Sequence, residues 1–124
     1  MKFSFIHAAD IHLGREFSDT SMYSTNDEIT KYYETGVERV LKNIVNLAID
    51  KEVDFVLIAG DTFDSEDQDF KSKLILKEEL KTLDDNNIKV ILVCGNHDPL
   101  KSYNKITFDF DKNSNVKIVG LNTD

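Results

Sequence analysis

Three short apolar segments, each followed by a cluster of acidic, histidine or asparagine residues, constrain the fold of this chain more than any other feature. The segments span residues 2–9, 53–59 and 88–94. The second and third are almost continuously apolar, which is typical of strands that are covered on both faces. A fourth and shorter apolar segment spans 116–119. We therefore predict four β-strands.

The segments between these strands have apolar residues at helical spacing. The first predicted helix has possible N-caps at 24–26 and ends near residue 51, and the second begins near 67–69 and ends at 84–87. Strands that alternate with helices form parallel sheets with right-handed crossovers. The sequence therefore predicts an α/β fold with a mostly parallel sheet and crossover helices.

Each of the three strong strands ends in residues of the types that bind metal ions. The three motifs are Asp10-Ile11-His12, Gly60-Asp61-Thr62-Phe63-Asp64 and Gly95-Asn96-His97-Asp98. The carboxyl ends of parallel strands lie at one edge of the sheet, where ligands gather. Mixed oxygen and nitrogen ligands suit manganese, iron or zinc. A pair of such ions, about 3.5–4 Å apart, is a common device for hydrolysing phosphate esters.

Local geometry refines this prediction. If residues 10–12 are extended, the side chains of Asp10 and His12 point the same way and can hold one ion. Gly60 and Gly95 would let the backbone bend sharply at the ends of their strands. Asp and Asn also favour turns for reasons unrelated to metals, and that alternative explains any one of these strand ends but not all three.

In this order, the motifs Asp-x-His, Gly-Asp-x-x-Asp and Gly-Asn-His-Asp resemble those of the calcineurin-like metallophosphoesterase superfamily. The wider strings, such as residues 5–14, resemble the SbcD-type DNA repair nucleases and their exonuclease-like relatives. The resemblance covers residues 1 to about 100. It implies a four-layer α/β/β/α sandwich, of which residues 1–124 would be the amino-terminal half.

The resemblance also implies roles at a two-metal site. Asp10 and His12 would hold the first ion, Asp61 would bridge both ions, and Asn96 would hold the second. Two divalent ions are expected, with manganese favoured and iron or zinc as alternatives. The resemblance thus implies a metal-dependent phosphodiesterase that acts on DNA ends, with an SbcC-type coiled-coil ATPase as its partner.

Two further residues have catalytic roles by the same resemblance. His97 would lie beside the leaving group as a general acid or a transition-state stabiliser. Asp64 matches the position whose carboxylate orients that histidine, which would keep the imidazole aligned and raise its proton affinity.

The chain departs from the family pattern in its histidines. It has three, at positions 7, 12 and 97. The family's site takes three more from the second half of the domain, including a Gly-His-x-His motif. We therefore expect a half-site with little or no activity alone, in a truncated chain. An inactive, non-catalytic half-domain stays open as an alternative.

Charge provides a second departure. The chain has 23 acidic and 15 basic residues, which gives a net charge of −8. Residues 64–69 place several carboxylates beside the predicted site, where they would repel a DNA backbone. This leaves a general metallophosphoesterase that acts on small phosphoesters as an alternative to the nuclease.

Three smaller expectations complete the sequence prediction. Half of a sandwich leaves one sheet face uncovered, so a homodimer through that face is possible. His7 on the first strand is expected to be a hydrogen-bonded core residue. The single cysteine, Cys94, fits a small buried apolar role and a cytoplasmic location, and the short apolar segments predict no membrane span.

Overall fold

Four strands and two helices alternate along the described part of the chain, as the sequence predicts. The computed structural model describes residues 2–13, 36–63, 70–95, 103 and 108–120. In chain order, the elements are β1 (Phe5–Ala9), α1 (Gly36–Asp50), β2 (Phe55–Ala59), α2 (Phe70–Asp85), β3 (Lys89–Val93) and β4 (Val116–Val119).

The strands form one sheet in the order β1-β2-β3-β4, and every neighbouring pair is parallel. The predicted α/β class with a parallel sheet is therefore confirmed. The register places Phe5 opposite Phe55 and Phe55 opposite Lys89. The predicted first three strands are longer than the observed ones, because residues such as Val53 and Ile88 pack where the helices end instead of joining the sheet.

The core lies between the sheet and the two helices. One helix buries Leu41, Val45 and Ala48, and the other buries Leu76, Leu80 and Leu83. These side chains pack with alternate strand residues such as Val56, Ile58, Val90 and Leu92, which are all buried. The helices contact each other, so both lie on the same face of the sheet. Neither is long and apolar enough to cross a membrane.

The opposite face of the sheet is apolar and exposed. Phe5 is 48% exposed, Ile91 39% and Val119 49%. His7 also lies on this face and is exposed. The expectation that His7 is a core residue is therefore wrong, because the strand's alternation places it away from the helices. No described helix or strand covers this face.

Both helices end in the same way at the amino edge of the sheet. After α1, the Val53 N–H donates to the Ala48 carbonyl at 3.2 Å, and Glu52 has a φ of 51°. This is a Schellman motif, in which a left-handed residue allows the chain to satisfy the last helical carbonyls. An equivalent motif ends α2, with Asn87 at a φ of 58°.

Candidate metal centre

The loops that follow β1 and β2 lie side by side at the carboxyl edge of the sheet. Their backbones continue the parallel pairing of the strands. The N–H to C=O bonds run from Asp10 to Gly60 (3.2 Å), from His12 to Asp61 (3.0 Å) and from Leu13 to Thr62 (2.6 Å). Because these bonds join backbone to backbone, they fix the two loops relative to each other whatever their side chains bind.

The backbone of these loops is left-handed at several non-glycine residues. Asp10 has a φ of 53°, His12 of 55° and Asp61 of 46°. The expectation that residues 10–12 are extended is therefore wrong. Left-handed residues turn each loop away from the strand direction while the hydrogen bonds to the neighbouring loop are kept. Such conformations are unfavourable for residues with a Cβ and are found disproportionately at functional sites.

Three predicted ligand side chains come together at this edge. Asp10, His12 and Asp61 each offer one ligand atom, and these atoms all lie within 4.8 Å of one another. Two atoms bound to one ion at about 2.1 Å are at most about 4.2 Å apart, so small side-chain rotations would bring all three onto a single ion. Asp10 is exposed, whereas His12 and Asp61 are half-buried. The donor set fits a divalent cation.

Gly95 is placed directly against Asp61. A Cβ built on Gly95 would lie 2.5 Å from the Asp61 Oδ1 atom and 3.1 Å from its Cγ, and it would also overlap the Asp61 backbone nitrogen. The sequence analysis expected both glycines to allow a bend, and Gly60 does so with a φ of 72°. Gly95 has a different role, because it leaves room for the backbone and carboxylate of Asp61.

An aromatic cluster, formed by Phe63, Tyr103 and Phe108, packs behind the second loop. The Phe63 ring centroid lies 5.5 Å from that of Tyr103 and 6.4 Å from that of Phe108, and all three side chains are buried. Burial of Phe63 anchors the loop two residues after Asp61. Sequence reasoning missed this cluster, although an aromatic residue inside an otherwise polar motif was a usable signal.

The remaining predicted site residues lie outside the described part of the chain. Asn96, His97 and Asp64 belong to the segments that follow β3 and β2, and their roles remain predictions. Cys94 at the end of β3 is half-buried and packs against the core, as expected of a small apolar residue.

Comparison with known proteins agrees with this geometry. The sequence model of the calcineurin-like phosphoesterase family matches residues 3–122, which is nearly the whole chain. The chain therefore belongs to the calcineurin-like phosphoesterase family, whose members hydrolyse phosphoesters with divalent metal ions. The resemblance noted in the sequence is confirmed at this level.

Similar proteins include one named as a metallophosphoesterase, one named as a DNA repair protein and one named as a nuclease subunit. The chain is 34% identical over 97 residues to an uncharacterized metallophosphoesterase, YhaO, of Bacillus subtilis, covering 78% of this chain and 23% of the relative. It is 29% identical over 105 residues to the DNA double-strand break repair protein Mre11 of Sulfurisphaera tokodaii, covering 85% and 24%. It is 27% identical over 94 residues to a subunit of the nuclease SbcCD of Bacillus subtilis, covering 75% and 21%. The chain thus spans about a quarter of the length of these relatives.

Proposed function

We propose that this chain is the metal-binding, amino-terminal half of the metallophosphoesterase domain of a two-metal phosphodiesterase that cleaves DNA, of the SbcD type. The observation that carries the proposal is the convergence of Asp10, His12 and Asp61 at the carboxyl edge of the sheet, with ligand atoms within 4.8 Å of one another. These residues follow two different strands, and only the parallel pairing of those strands and their loops brings them together.

The proposed ligand roles are those that the resemblance to the family implies, and the grouping of Asp10, His12 and Asp61 supports them. Asp10 and His12 hold the first ion, Asp61 bridges the two ions, and Asn96 holds the second through its amide oxygen. Manganese is the expected metal, with iron or zinc as alternatives. Bound divalent ions would activate water and neutralise charge on the phosphate oxygens. The carboxylate of Asp61 suits a bridging role because it has two oxygens and its backbone is fixed against Gly95.

His97 and Asp64 are proposed to handle the proton. The His97 imidazole would donate to the leaving oxygen, and the Asp64 carboxylate would hold that ring in one orientation. Both residues come directly after loops that end at the same edge, since Asp64 follows Phe63 and His97 follows Gly95 by two residues.

DNA is the proposed substrate because relatives are named as a DNA double-strand break repair protein and as a subunit of a nuclease. The net charge of −8 opposes binding to a phosphate backbone. We therefore include in the proposal a partner that supplies positive surface, an SbcC-type coiled-coil ATPase. A cytoplasmic location is a separate part of the proposal.

A second candidate function is hydrolysis of small phosphoesters. The acidic run at 64–69 favours it, because several carboxylates beside the site would repel a polyanion more strongly than a small monoester or diester. The metal ligands would be the same in this case, and only the substrate would differ.

We further propose that residues 1–124 alone have little activity. The chain has no histidine after position 97, so the second ion would have ligands only from Asp61, Asn96 and water. An incomplete coordination sphere binds its ion weakly. The limiting case is a non-catalytic half-domain that keeps the fold and a single weak metal site.

Metal binding is the first test. Titration of the chain with Mn²⁺, followed by the EPR signal of the free ion, should show saturable binding. Asp61→Asn and His12→Gln should abolish it. His7→Gln is the matched control, since His7 lies on the exposed sheet face and outside the ligand group. Failure of the wild-type chain to bind, or equal loss in the His7 variant, would refute the proposed site.

A test of the substrate class requires a complete metal site. Residues 1–124 can replace the matching segment of the related SbcCD nuclease chain from Bacillus subtilis, which would supply the second half. We expect Mn²⁺-dependent cleavage of linear duplex DNA that is lost in Asn96→Ala and His97→Ala. Undiminished cleavage by both variants would contradict the assigned roles. Hydrolysis of a nitrophenyl phosphate ester without cleavage of DNA would favour the second candidate.

A further inference from the structure

The candidate ligands lie on two short loops that are fixed at both ends. The first loop comprises residues 10–13 and the second loop residues 60–63. Both loops begin at the sheet, where β1 and β2 are paired. Both end in a buried apolar residue, and these two residues, Leu13 and Phe63, form an isolated parallel bridge. The ligand side chains therefore lie between the sheet and this bridge.

The backbone between the two ends of the loops depends on support from outside. Asp10, His12 and Asp61 have a positive φ, which residues with a Cβ adopt at a cost. Strained conformations of this kind persist only where the surrounding structure fixes them. The hydrogen bonds from His12 and Leu13 join the loops to each other and not to the rest of the molecule. The loops are fixed to the molecule at the sheet, where Asp61 also packs against Gly95, and at the bridge.

The aromatic cluster holds the bridge in place. Phe63 is fully buried, and its ring centroid lies 5.5 Å from that of Tyr103 and 6.4 Å from that of Phe108. The Tyr103 and Phe108 centroids are 5.3 Å apart, with their ring planes at 52°, so each ring contacts the other two. Aromatic pairs at such distances attract each other beyond the area that they bury. The cluster therefore anchors the end of the loops that lies away from the strand pairing.

Tyr103 and Phe108 can influence the ligands only through their packing. Neither residue belongs to any of the three ligand motifs, and both are remote in sequence from the two loops. Their side chains are 7% and 6% exposed, so neither presents a surface to a substrate. Any effect of these rings on the metal centre must pass through Phe63 and the backbone of the second loop.

We propose that Tyr103 and Phe108 are positioning residues of the candidate metal centre. Their rings hold Phe63 in place, and the bridge from Phe63 to the first loop keeps the ligand group of the two loops together. The positioning of the loops does not depend on the proposed function. Its effect on metal affinity rests on the proposed metal site.

Hydrogen exchange of the metal-free chain tests the positioning of the loops. The N–H groups of His12 and Leu13 donate to the second loop, so their exchange rates report how firmly the loops are joined. Phe108→Leu should raise both rates by about tenfold or more, because the smaller side chain leaves a void against Phe63. The Asp54 N–H, which bonds to the Ser4 carbonyl at the amino edge, is the reference for any change in global stability.

Mn²⁺ binding, measured by the same EPR titration, tests the effect on the site. Phe108→Leu and Tyr103→Leu should each lower the affinity by about three- to tenfold, which is less than for loss of a group that contacts a ligand directly. Tyr103→Phe keeps the ring and should bind Mn²⁺ as the wild type does. The matched control is Ile88→Val, which shortens a buried side chain at the amino edge. It should lower stability without changing the exchange of His12 and Leu13 or the Mn²⁺ affinity.

The two measurements distinguish failure of this proposal from failure of the metal site. Faster exchange of both amides together with weaker Mn²⁺ binding supports the proposal. Exchange or Mn²⁺ affinity that changes no more than in Ile88→Val, or equal losses in Tyr103→Phe and Tyr103→Leu, would overturn it. A wild-type chain that does not bind Mn²⁺ contradicts the proposed metal site, and the exchange rates then decide whether the cluster positions the loops. If Phe108→Leu does not fold by circular dichroism, Tyr103→Leu provides the same test.

Discussion

The two edges of the sheet use the same unusual backbone conformation for different reasons. At the amino edge, Glu52 and Asn87 are left-handed because each ends a helix in a Schellman motif. At the carboxyl edge, Asp10, His12 and Asp61 are left-handed although no described helix ends there. A positive φ therefore indicates ordinary helix termination at one edge and a candidate site at the other, where the ligand side chains gather.

The edges also use their aspartates differently. At the amino edge, Asp54 accepts a hydrogen bond from the Ser4 N–H at 2.8 Å, and Asp84 accepts from the Asn115 N–H at 2.8 Å and from its side-chain amide at 3.0 Å. These carboxylates connect elements of the fold. At the carboxyl edge backbone bonds join the loops, and the carboxylates of Asp10 and Asp61 belong to the candidate ligand group. The difference predicts that substitutions at the amino edge change stability alone, whereas substitutions at the carboxyl edge also change metal binding.

The largest effect on both properties is expected for Gly95→Ala. The new Cβ would overlap the backbone and carboxylate of Asp61, so one of the two loops must move. We expect a loss of about 1–3 kcal/mol in the free energy of unfolding, as for other overpacked sites. Mn²⁺ affinity should fall by about tenfold or more, since displaced ligand geometry has that effect. Chemical denaturation measures the free energy of unfolding, and Mn²⁺ titration measures the affinity.

The control for this substitution is Gly36→Ala. Gly36 is the first described residue of α1, and a Cβ there would meet Arg39 at an ordinary 3.6 Å. The free energy of unfolding of this variant should equal or slightly exceed that of the wild type, because alanine is the better helix former. If Gly95→Ala bound Mn²⁺ as the wild type does, Gly95 would not position Asp61.

A smaller effect, on stability alone, is expected for Asp84→Ala at the amino edge. The substitution removes the acceptor for both hydrogen bonds from Asn115 and leaves a part-buried N–H without that partner. The free energy of unfolding should fall by about 1–2 kcal/mol. Mn²⁺ affinity should be unchanged, because Asp84 lies at the opposite edge from Asp61. A loss of metal binding comparable to that of Gly95→Ala would show that the two edges are not independent.

Glycine substitutions at left-handed positions compare the edges directly. Glu52→Gly and Asp10→Gly should each increase the free energy of unfolding by about 1 kcal/mol, because glycine adopts a positive φ without strain. Only Asp10→Gly should weaken Mn²⁺ binding. Asn87→Gly should change stability least, since asparagine tolerates this conformation. If Asp10→Gly destabilised the fold, its carboxylate would have a structural role like that of Asp84.

The sheet and the meeting of Asp10, His12 and Asp61 could be predicted from the sequence. Both depend on patterns within short segments and on general rules for how strands and helices are connected. Apolar spacing distinguishes strands from helices within short windows, and alternation of the two implies parallel strands with a shared carboxyl edge. Residues 9 and 59 are paired in the sheet, so the motifs that follow them must be neighbours. No side-chain geometry was needed for that conclusion.

Other features of the site depend on contacts between distant residues and could not be predicted in the same way. Nothing in the string around Gly95 indicates that Asp61, 34 positions earlier in the chain, occupies the space of its missing side chain. The packing of Phe63 against Tyr103 is equally remote in sequence. Asp10 and His12 combine a left-handed backbone with hydrogen bonds to the second loop, and an Asp-x-His motif taken by itself does not indicate that partner.

The segment from Phe108 to Asn115 connects the two edges, because Phe108 packs on Phe63 and Asn115 bonds to Asp84. Asp109 in this segment pairs with Lys77 of α2 at 2.7 Å. The hydrogen bond from Lys77 holds the pKa of the Asp109 carboxyl below its usual value. A lowered pKa in the folded state stabilises the protein above the unfolded pKa, near about 4, and that contribution is lost as the pH falls through the folded value.

Asp109→Asn should therefore give the smallest effect: a slightly lower denaturation midpoint at neutral pH that converges with the wild type at acid pH. Glu79→Gln should behave in the opposite sense, since burial raises the pKa of Glu79 and its ionised form opposes folding at neutral pH. Its midpoint should exceed that of the wild type at neutral pH and converge with it below about pH 4. For Asp109→Asn, midpoints measured across this range, with Mn²⁺ affinity as the second measurement, decide whether the connecting segment acts on stability only. A change of metal affinity in this variant would link the segment to the site through Phe108. Glu79 lies in α2 and outside the segment, so Glu79→Gln should leave Mn²⁺ affinity unchanged.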